Sequence, residues 1–455
     1  MHVCIIGGGS SGWMVATALR RVENITKISL IDSPKIPSIG VGESTTGIFH
    51  DFIERYFNIV DFIKESDAVM KYGVYYKNWG KKDYIHPFQR ETIYERNNIT
   101  RKEYSKLLLA KEKDVHIHDL INTKMWNFVK KNQISLDTEE HPHAWHFNAG
   151  KFILFMKNHS KDSINYIEDT VVNAEFVDGE ISYLITASNK KVKADYYINC
   201  CGTNETIFKN EYIDLSEYLL CDKAIVYPLP YTDIKKQLHP YTIAKTMKNG
   251  WRWITPTWNR IGTGYVFSSH HASFEECSDE LEKDIGKENL NFRLVDFHPR
   301  INKNPFKKNS YNIGMSQGFL EPLDAPGLSL TIVSINLIID LLSSEGVKDY
   351  SYLNPYQNFN YYWWASFILS QYKHCYREDS QFWKDQKNVV CPFYNEIMDM
   401  ILGDKTDYEY EMFFYTMAAK DVKVDLHQSK PIPLREKETS LRDHYDFLQT
   451  VHMSR

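Results

Sequence analysis

The N-terminal stretch HVCIIGGGSSGW constrains the fold more than any other part of the chain. Val3 to Ile6 form a short apolar run bounded by glycine, which reads as a buried strand, and Trp13 to Leu19 reads as the helix after it. Between them Gly7, Gly9 and Gly12 satisfy G-x-G-x-x-G in the context that gives the pattern meaning. The first glycine permits a tight turn, the second lets backbone approach a pyrophosphate, and the third lets helix and strand pack closely. The phosphates would lie over the helix N-terminus, whose amides are ready donors to an anion. Asp32 closes the second apolar run, ISLID, about 20 residues on, where a carboxylate binds a ribose hydroxyl. A dinucleotide site in an α/β fold is therefore expected at the start of the chain.

Bulk properties narrow the partners. A length of 455 residues leaves room for two or three cores. A formal charge of −5, with lysines and arginines scattered, gives no electrostatic reason to expect nucleic acid. Seven cysteines, none in C-x-x-C spacing, suit a reducing compartment and argue against a zinc site. Cys200 and Cys201 sit inside an apolar run and read as core. The nucleotide strand begins at residue 2, which leaves no room for a signal peptide, so a cytoplasmic location is expected. The apolar segment Leu328 to Leu342 carries Ser329, Asn336 and Asp340 and is shorter than the ~20 residues needed to span a bilayer. It reads as a buried helix, and no membrane partner is expected.

Along the chain, residues 1 to about 45 read as strand, helix, strand and the glycine-rich loop GVGEST. NYIEDTVVNAEFVDGEISYLIT alternates around Asp178-Gly179, a hairpin signal, and KADYYINCCGTN places a strand before another glycine turn. The expected organisation is a discontinuous nucleotide domain from 1–80, 146–205 and 300–345. A substrate-side layer is expected over 81–145 and 206–299, including the alternating strand RIGTGYVFSS, and a helical C-terminal region over 346–455. His141, His143 and His146 are close together, but Pro142 interrupts them and no matching carboxylate or cysteine set follows, so no metal is expected.

Eight stretches occur in order over residues 7 to 383: GGGSSGW, GVGEST, MKYGVYYKNW, HFNAGKF, CDKAIVYPL, NGWRWITP with NRIGTGYVFSS, GFLEPLDAPG and REDSQFW. Together they resemble flavin-dependent halogenases of the tryptophan-halogenase type. The resemblance implies a glutathione-reductase-like FAD-binding fold, α/β in class, with a mixed-sheet substrate layer. FAD would be supplied reduced, as FADH2, by a separate flavin reductase, since no NADH motif is evident. The cofactor-binding set is then Gly7, Gly9, Ser10, Ser11, Gly12, Asp32, Gly42, Glu43 and Val172. HFNAGKF is read as a helix start, and the DAPG turn as the start of another whose positive end faces the flavin.

In that family, reduced flavin and oxygen convert halide to hypohalous acid, which travels through a tunnel to an aromatic substrate held apart. A lysine at the tunnel end captures or orients the halogen, and by motif this is Lys71. Desolvation disfavours the charge of a buried lysine, and a neutral amine could accept halogen. Asp324 stands where the family usually has glutamate, one methylene longer, and would polarise the halogenating species or accept the ring proton. Two backbone N–H groups that hold halide in the family fall on Pro326 and Gly327, and proline has none to give. A hydrogen bond to a charged group contributes ~1.5–3 kcal/mol, so bromide or iodide is expected over chloride, whose dehydration costs more. Trp251 and Trp253 match the tryptophans that wall substrate from flavin, with Thr255 in place of the usual isoleucine.

The chain is shorter than typical tryptophan halogenases, so a small electron-rich phenol, indole or similar arene is favoured over free tryptophan. The aromatic tail could serve an interface in a homo-oligomer. An FAD-dependent aromatic monooxygenase is the first alternative, sharing the fold but having no need of Lys71. A catalytically decayed flavin-binding protein is the second, to which the departures at Asp324, Pro326 and Thr255 would belong.

Overall fold

A computed structural model describes residues 1–36, 43–81, 83–88, 115–116, 124–138, 141–203, 207–343, 350–402, 423–424 and 441–454. The chain divides into two compact units, the first from residues 1–68, 147–215 and 298–362, the second from 69–146, 216–297 and 363–455.

The first unit is built on a six-stranded sheet. Its order is Asn165–Glu168, Lys27–Asp32, His2–Ile6, Tyr196–Asn199, Ser310–Asn312 and Phe306–Lys307. The first five strands are parallel and the last pairs antiparallel. Val3 to Ile6 are buried on both faces, as an unbroken apolar run in a parallel sheet requires. The helices Ser10–Leu19 and Ala149–Ser160 pack together, and the first also meets Pro326–Ser343. Phe49, Phe62, Phe147 and Phe152 fill the space below Gly47–Tyr56, with the Phe147 and Phe152 rings 4.7 Å apart.

The run NYIEDTVVNAEFVDGEISYLIT, expected as one alternating hairpin, divides between two sheets. Asn165–Glu168 joins the parallel sheet, while Val171–Val177 and Glu180–Thr186 form the hairpin. The break falls at Asp169, whose carboxylate accepts from the Thr170 N–H and the Ser188 hydroxyl and turns the chain. The hairpin closes where expected, with Asp178 and Gly179 both at positive φ.

Pro326–Ser343 is the one helix among the described residues long and apolar enough to cross a membrane, and most of it is buried within the protein. Ser334 on its buried face donates to the Gln317 side-chain oxygen at 2.6 Å, so the helix carries a polar contact into the core. The helix begins at Pro326, a position where the missing N–H has no intrahelical acceptor to lose.

The second unit centres on a seven-stranded sheet. Its order is Arg293–Asp296, Lys223–Leu229, Ile261–Phe267, Gly250–Pro256, Thr242–Met247, Gly73–Lys77 and Tyr84–Pro87. All neighbours are antiparallel except Thr242–Met247 with Gly73–Lys77, a parallel pair that makes the sheet mixed. Those two strands are far apart in sequence, so no hairpin dictates their direction. The helix Phe274–Ile285 opens with a Ser273–Glu276 capping box and covers the sheet through Cys277 and Leu281. Among the described residues beyond 346, Asn354–His374, Gln381–Asn388, Pro392–Leu402 and His444–Met453 are α-helices.

Candidate active site

In the first unit the glycine loop shows which glycines the protein itself demands. A Cβ at Gly7 would collide with the Cys200 carbonyl, one at Gly12 with the Gly7 carbonyl, and one at Gly8 with the Asp32 carboxylate. A Cβ at Gly9 would meet nothing. Gly9 is also the N-cap of Ser10–Leu19 and offers no side chain to the amides of the first turn. The loop therefore leaves one open face, over a helix N-terminus without a side-chain cap. Ser10 and Ser11 form the first turn, and the Ser11 hydroxyl lies against Gly314, itself at positive φ.

Asp32 is tied into the same loop. Its Oδ1 accepts from the Gly8 N–H at 3.2 Å and its Oδ2 from the Tyr166 hydroxyl at 3.1 Å. Burial and the neighbouring carboxylate push the Tyr166 phenol up to about 12, which keeps it a donor. Tyr166 had no sequence signal beyond its place in an alternating run. Glu43 begins the short strand Glu43–Ser44, and Gly42 lies outside the described residues. Val172 lies on the hairpin strand Val171–Val177, at a register shift, and is 53% exposed. These cofactor positions all belong to the first unit.

The GFLEPLDAPG segment holds a tight turn in the same unit. Asp324 is buried at φ 61° and Ala325 follows at φ 60°. Two successive non-glycine residues in the left-handed region store strain, of about 1–3 kcal/mol each where context forces them. The Ala325 N–H closes the turn on the Pro322 carbonyl at 3.0 Å. Pro326 and Gly327 are the first two residues of the next helix, and the space beside the Gly327 Cα is open. Glu321, in the same turn, is fully buried.

In the second unit Lys71 ends the strand Val69–Lys71, which runs antiparallel to Ala144–Phe147 with Lys71 opposite Ala144. The side chain is fully buried, and Nζ lies 4.9 Å from the centroid of the Phe88 ring, whose face attracts a cation. His86 touches Phe88 edge-on at 6.0 Å and Phe367 at 5.4 Å, and Trp364 meets Phe367. The ring beside the amine is thus part of a larger aromatic cluster. His86 and Phe88 had no distinguishing spacing in the sequence.

Trp251 and Trp253 alternate on Gly250–Pro256 and so share one face, with ring centroids 6.4 Å apart. Their register is fixed by Val266 and Gly264, and the Trp253 ring occupies the space a Gly264 side chain would need. Arg252, on the opposite face, donates to the Thr263 hydroxyl at 3.0 Å and to Asp284 at 2.6 Å. Lys245 pairs with the same carboxylate. These contacts anchor the strand from behind, and Thr255 is buried two residues beyond Trp253.

The three close histidines pack rather than converge. His141 meets Phe128 edge-on at 5.1 Å and His143 meets Trp145 at 5.0 Å. His146 Nε2 lies 2.7 Å from Thr242 Oγ1. No cluster of three or more metal-ligating side chains is present among the described residues, and all seven cysteines are free thiols.

The sequence profile of the family described as tryptophan halogenase matches residues 2–422. A tryptophan 6-halogenase of Streptomyces albogriseolus is 28% identical over 367 residues, 74% of this chain and 69% of that protein. A tryptophan 7-halogenase of Lentzea aerocolonigenes is 24% identical over 423 residues, 85% of this chain and 79% of that protein. The crystal structure of a tryptophan halogenase from Shewanella frigidimarina superimposes with a TM-score of 0.83 at 20% identity, covering 99% of this chain and 97% of the other. A flavin-dependent halogenase from Xanthomonas campestris gives a TM-score of 0.80 at 20% identity, over 99% and 94% of the two chains. The chain therefore belongs to the tryptophan halogenase family, flavin-dependent halogenases on a glutathione-reductase-like FAD-binding fold.

Proposed function

We propose that the chain halogenates a small electron-rich arene, a phenol or indole, and that Lys71 directs the halogen. The observation that carries this reading is a wholly buried lysine with its amine against an aromatic ring, in a chain of this family. Gly9 and the first turn of Ser10–Leu19 would hold the FAD pyrophosphate, and Asp32 would accept a ribose hydroxyl. Bound FAD, once reduced by a separate flavin reductase, supplies with oxygen the two-electron oxidation that turns halide into hypohalous acid. The Gly327 N–H donates to halide, with no second donor from Pro326, which favours bromide or iodide over chloride. Lys71 orients or captures the halogen, and Asp324 accepts the proton the ring loses. Trp251 and Trp253 keep the arene away from the flavin, so that oxygen itself is not transferred. A cytoplasmic site of action accords with seven free thiols.

The test is mass spectrometry of a phenol and indole panel incubated with FAD, a flavin reductase and chloride, bromide or iodide in parallel, with catalase present. Wild type should give halogenated arene, and Lys71→Ala should lose it by about a hundredfold or more. Hydroxylated product without halogen would replace this reading with a monooxygenase, and peroxide alone with a decayed flavoprotein.

A further inference from the structure

The strand pairing that carries Lys71 also carries a buried histidine. Lys71 stands opposite Ala144 and Val69 opposite His146. His146 is two residues from Ala144, on the same face of its strand, so it is the diagonal neighbour of Lys71 and within reach of a long side chain. Both side chains are fully buried. His146 Nε2 meets the Thr242 hydroxyl at 2.7 Å, on Thr242–Met247. The Pro256 carbonyl, at the end of the strand bearing Trp251 and Trp253, lies near the same ring but leaves Nδ1 without a hydrogen bond.

Burial, then Lys71, then His444 hold the His146 imidazole well below its ordinary value. The ring is therefore neutral near pH 7. A neutral imidazole has one N–H and one lone pair, and Nε2 can use either with the Thr242 hydroxyl. A charged ring would set a cation beside the buried amine. One side chain thus links the strand paired with that of the lysine to Thr242–Met247 in the seven-stranded sheet.

We propose that His146 is the positioning residue for Lys71, fixing the amine relative to Thr242–Met247 through the Thr242 hydroxyl. This rests on the reading of Lys71 as the halogen-directing amine. Displacing the amine leaves halide oxidation intact and loses transfer to the arene, so hypohalous acid escapes.

The experiment compares wild type, His146→Leu, His146→Gln, Lys71→Ala and the Lys71→Ala/His146→Leu pair. Each full-length protein is assayed with FAD, a flavin reductase, bromide and indole, with a diketone trap for free hypobromous acid. His146→Leu should lower kcat about tenfold or more, leave KM for indole unchanged and raise trapped hypobromous acid. His146→Gln, which can still donate and accept, should restore kcat to within about threefold. The double variant should be no slower than Lys71→Ala, because the histidine acts through the lysine. A folded His146→Leu with wild-type kcat, or losses that multiply in the double variant, would overturn the proposal alone. Should Lys71→Ala keep full halogenation, the reading of the lysine falls, and this proposal with it. If His146→Leu does not fold, Gln and Asn carry the test, since Asn is too short to reach the Thr242 hydroxyl, and equal kcat in the two would overturn it.

Discussion

A methyl group added at Gly9 and one added at Gly12 meet opposite surroundings. At Gly9 it points into open space, and at Gly12 it strikes the Gly7 carbonyl. Gly9→Ala should therefore fold, losing at most about 1 kcal/mol at the N-cap, while its methyl would occupy the place proposed for the pyrophosphate. FAD affinity measured by flavin fluorescence should fall about tenfold, equal to about 1.4 kcal/mol. Gly12→Ala should lose about 3 kcal/mol of stability in urea unfolding without added FAD, because the clash exceeds the gain of about 1 kcal/mol in helix propensity. If Gly9→Ala bound FAD normally, the open face of the loop would not be the cofactor face. The glycine spacing was legible because the motif is local. The need for Gly8 was not, since it arises from Asp32, which only the folding of the second strand brings alongside. Tyr166 was hidden for the same reason, arriving from a strand more than a hundred residues away.

At the scale of the element, Pro326–Ser343 begins with a residue that stabilises its first turn and removes a donor from it. Pro326→Ala should restore one N–H to a site bordering the open space at Gly327. In competition at equal halide concentrations, the chloride-to-bromide product ratio should rise about tenfold, within the ~1.5–3 kcal/mol of one charged hydrogen bond. An unchanged ratio would remove the proline from any account of halide choice. The helix itself was readable as a continuous apolar run, and Trp251 and Trp253 as one strand face, because both patterns depend only on neighbours in sequence. What faces them was not readable. The placement of the Trp253 ring over Gly264 depends on strand register, and the anchoring of Arg252 by Asp284 depends on a helix 32 residues away. The hairpin run split in two because Asp169 and Ser188 make a turn that alternation alone does not reveal.

Across the whole molecule, the histidines set how the fold responds to acid. His444 is fully buried, and desolvation brings its pKa down to about 4, against help from the Leu238 carbonyl and Asp443 and with His239 opposing its charge. His146 and His239 are lowered too, both first by burial. In the unfolded chain these groups take up protons near pH 6.5, so below that value the unfolded state binds more protons than the folded one. Their contribution is fully present above about pH 6.5 and is lost as the pH falls, for His444 down to about 4. For His444 alone the loss is about 3 kcal/mol, from 1.36 kcal/mol per pKa unit. The Asp284 carboxylate, buried but hydrogen-bonded by Lys245 and Arg252, is lowered and so acts only at more acid pH, leaving the histidine window separate. Every tryptophan except Trp13 lies in the second unit, as do these three histidines. Urea unfolding followed by tryptophan fluorescence between pH 7.5 and 4.5 should show the midpoint dropping as the pH is lowered. His444→Gln, which keeps a donor for the Leu238 carbonyl but cannot titrate, should flatten that slope. A variant whose midpoint fell as steeply as wild type would move the acid sensitivity away from His444 and onto the remaining buried histidines.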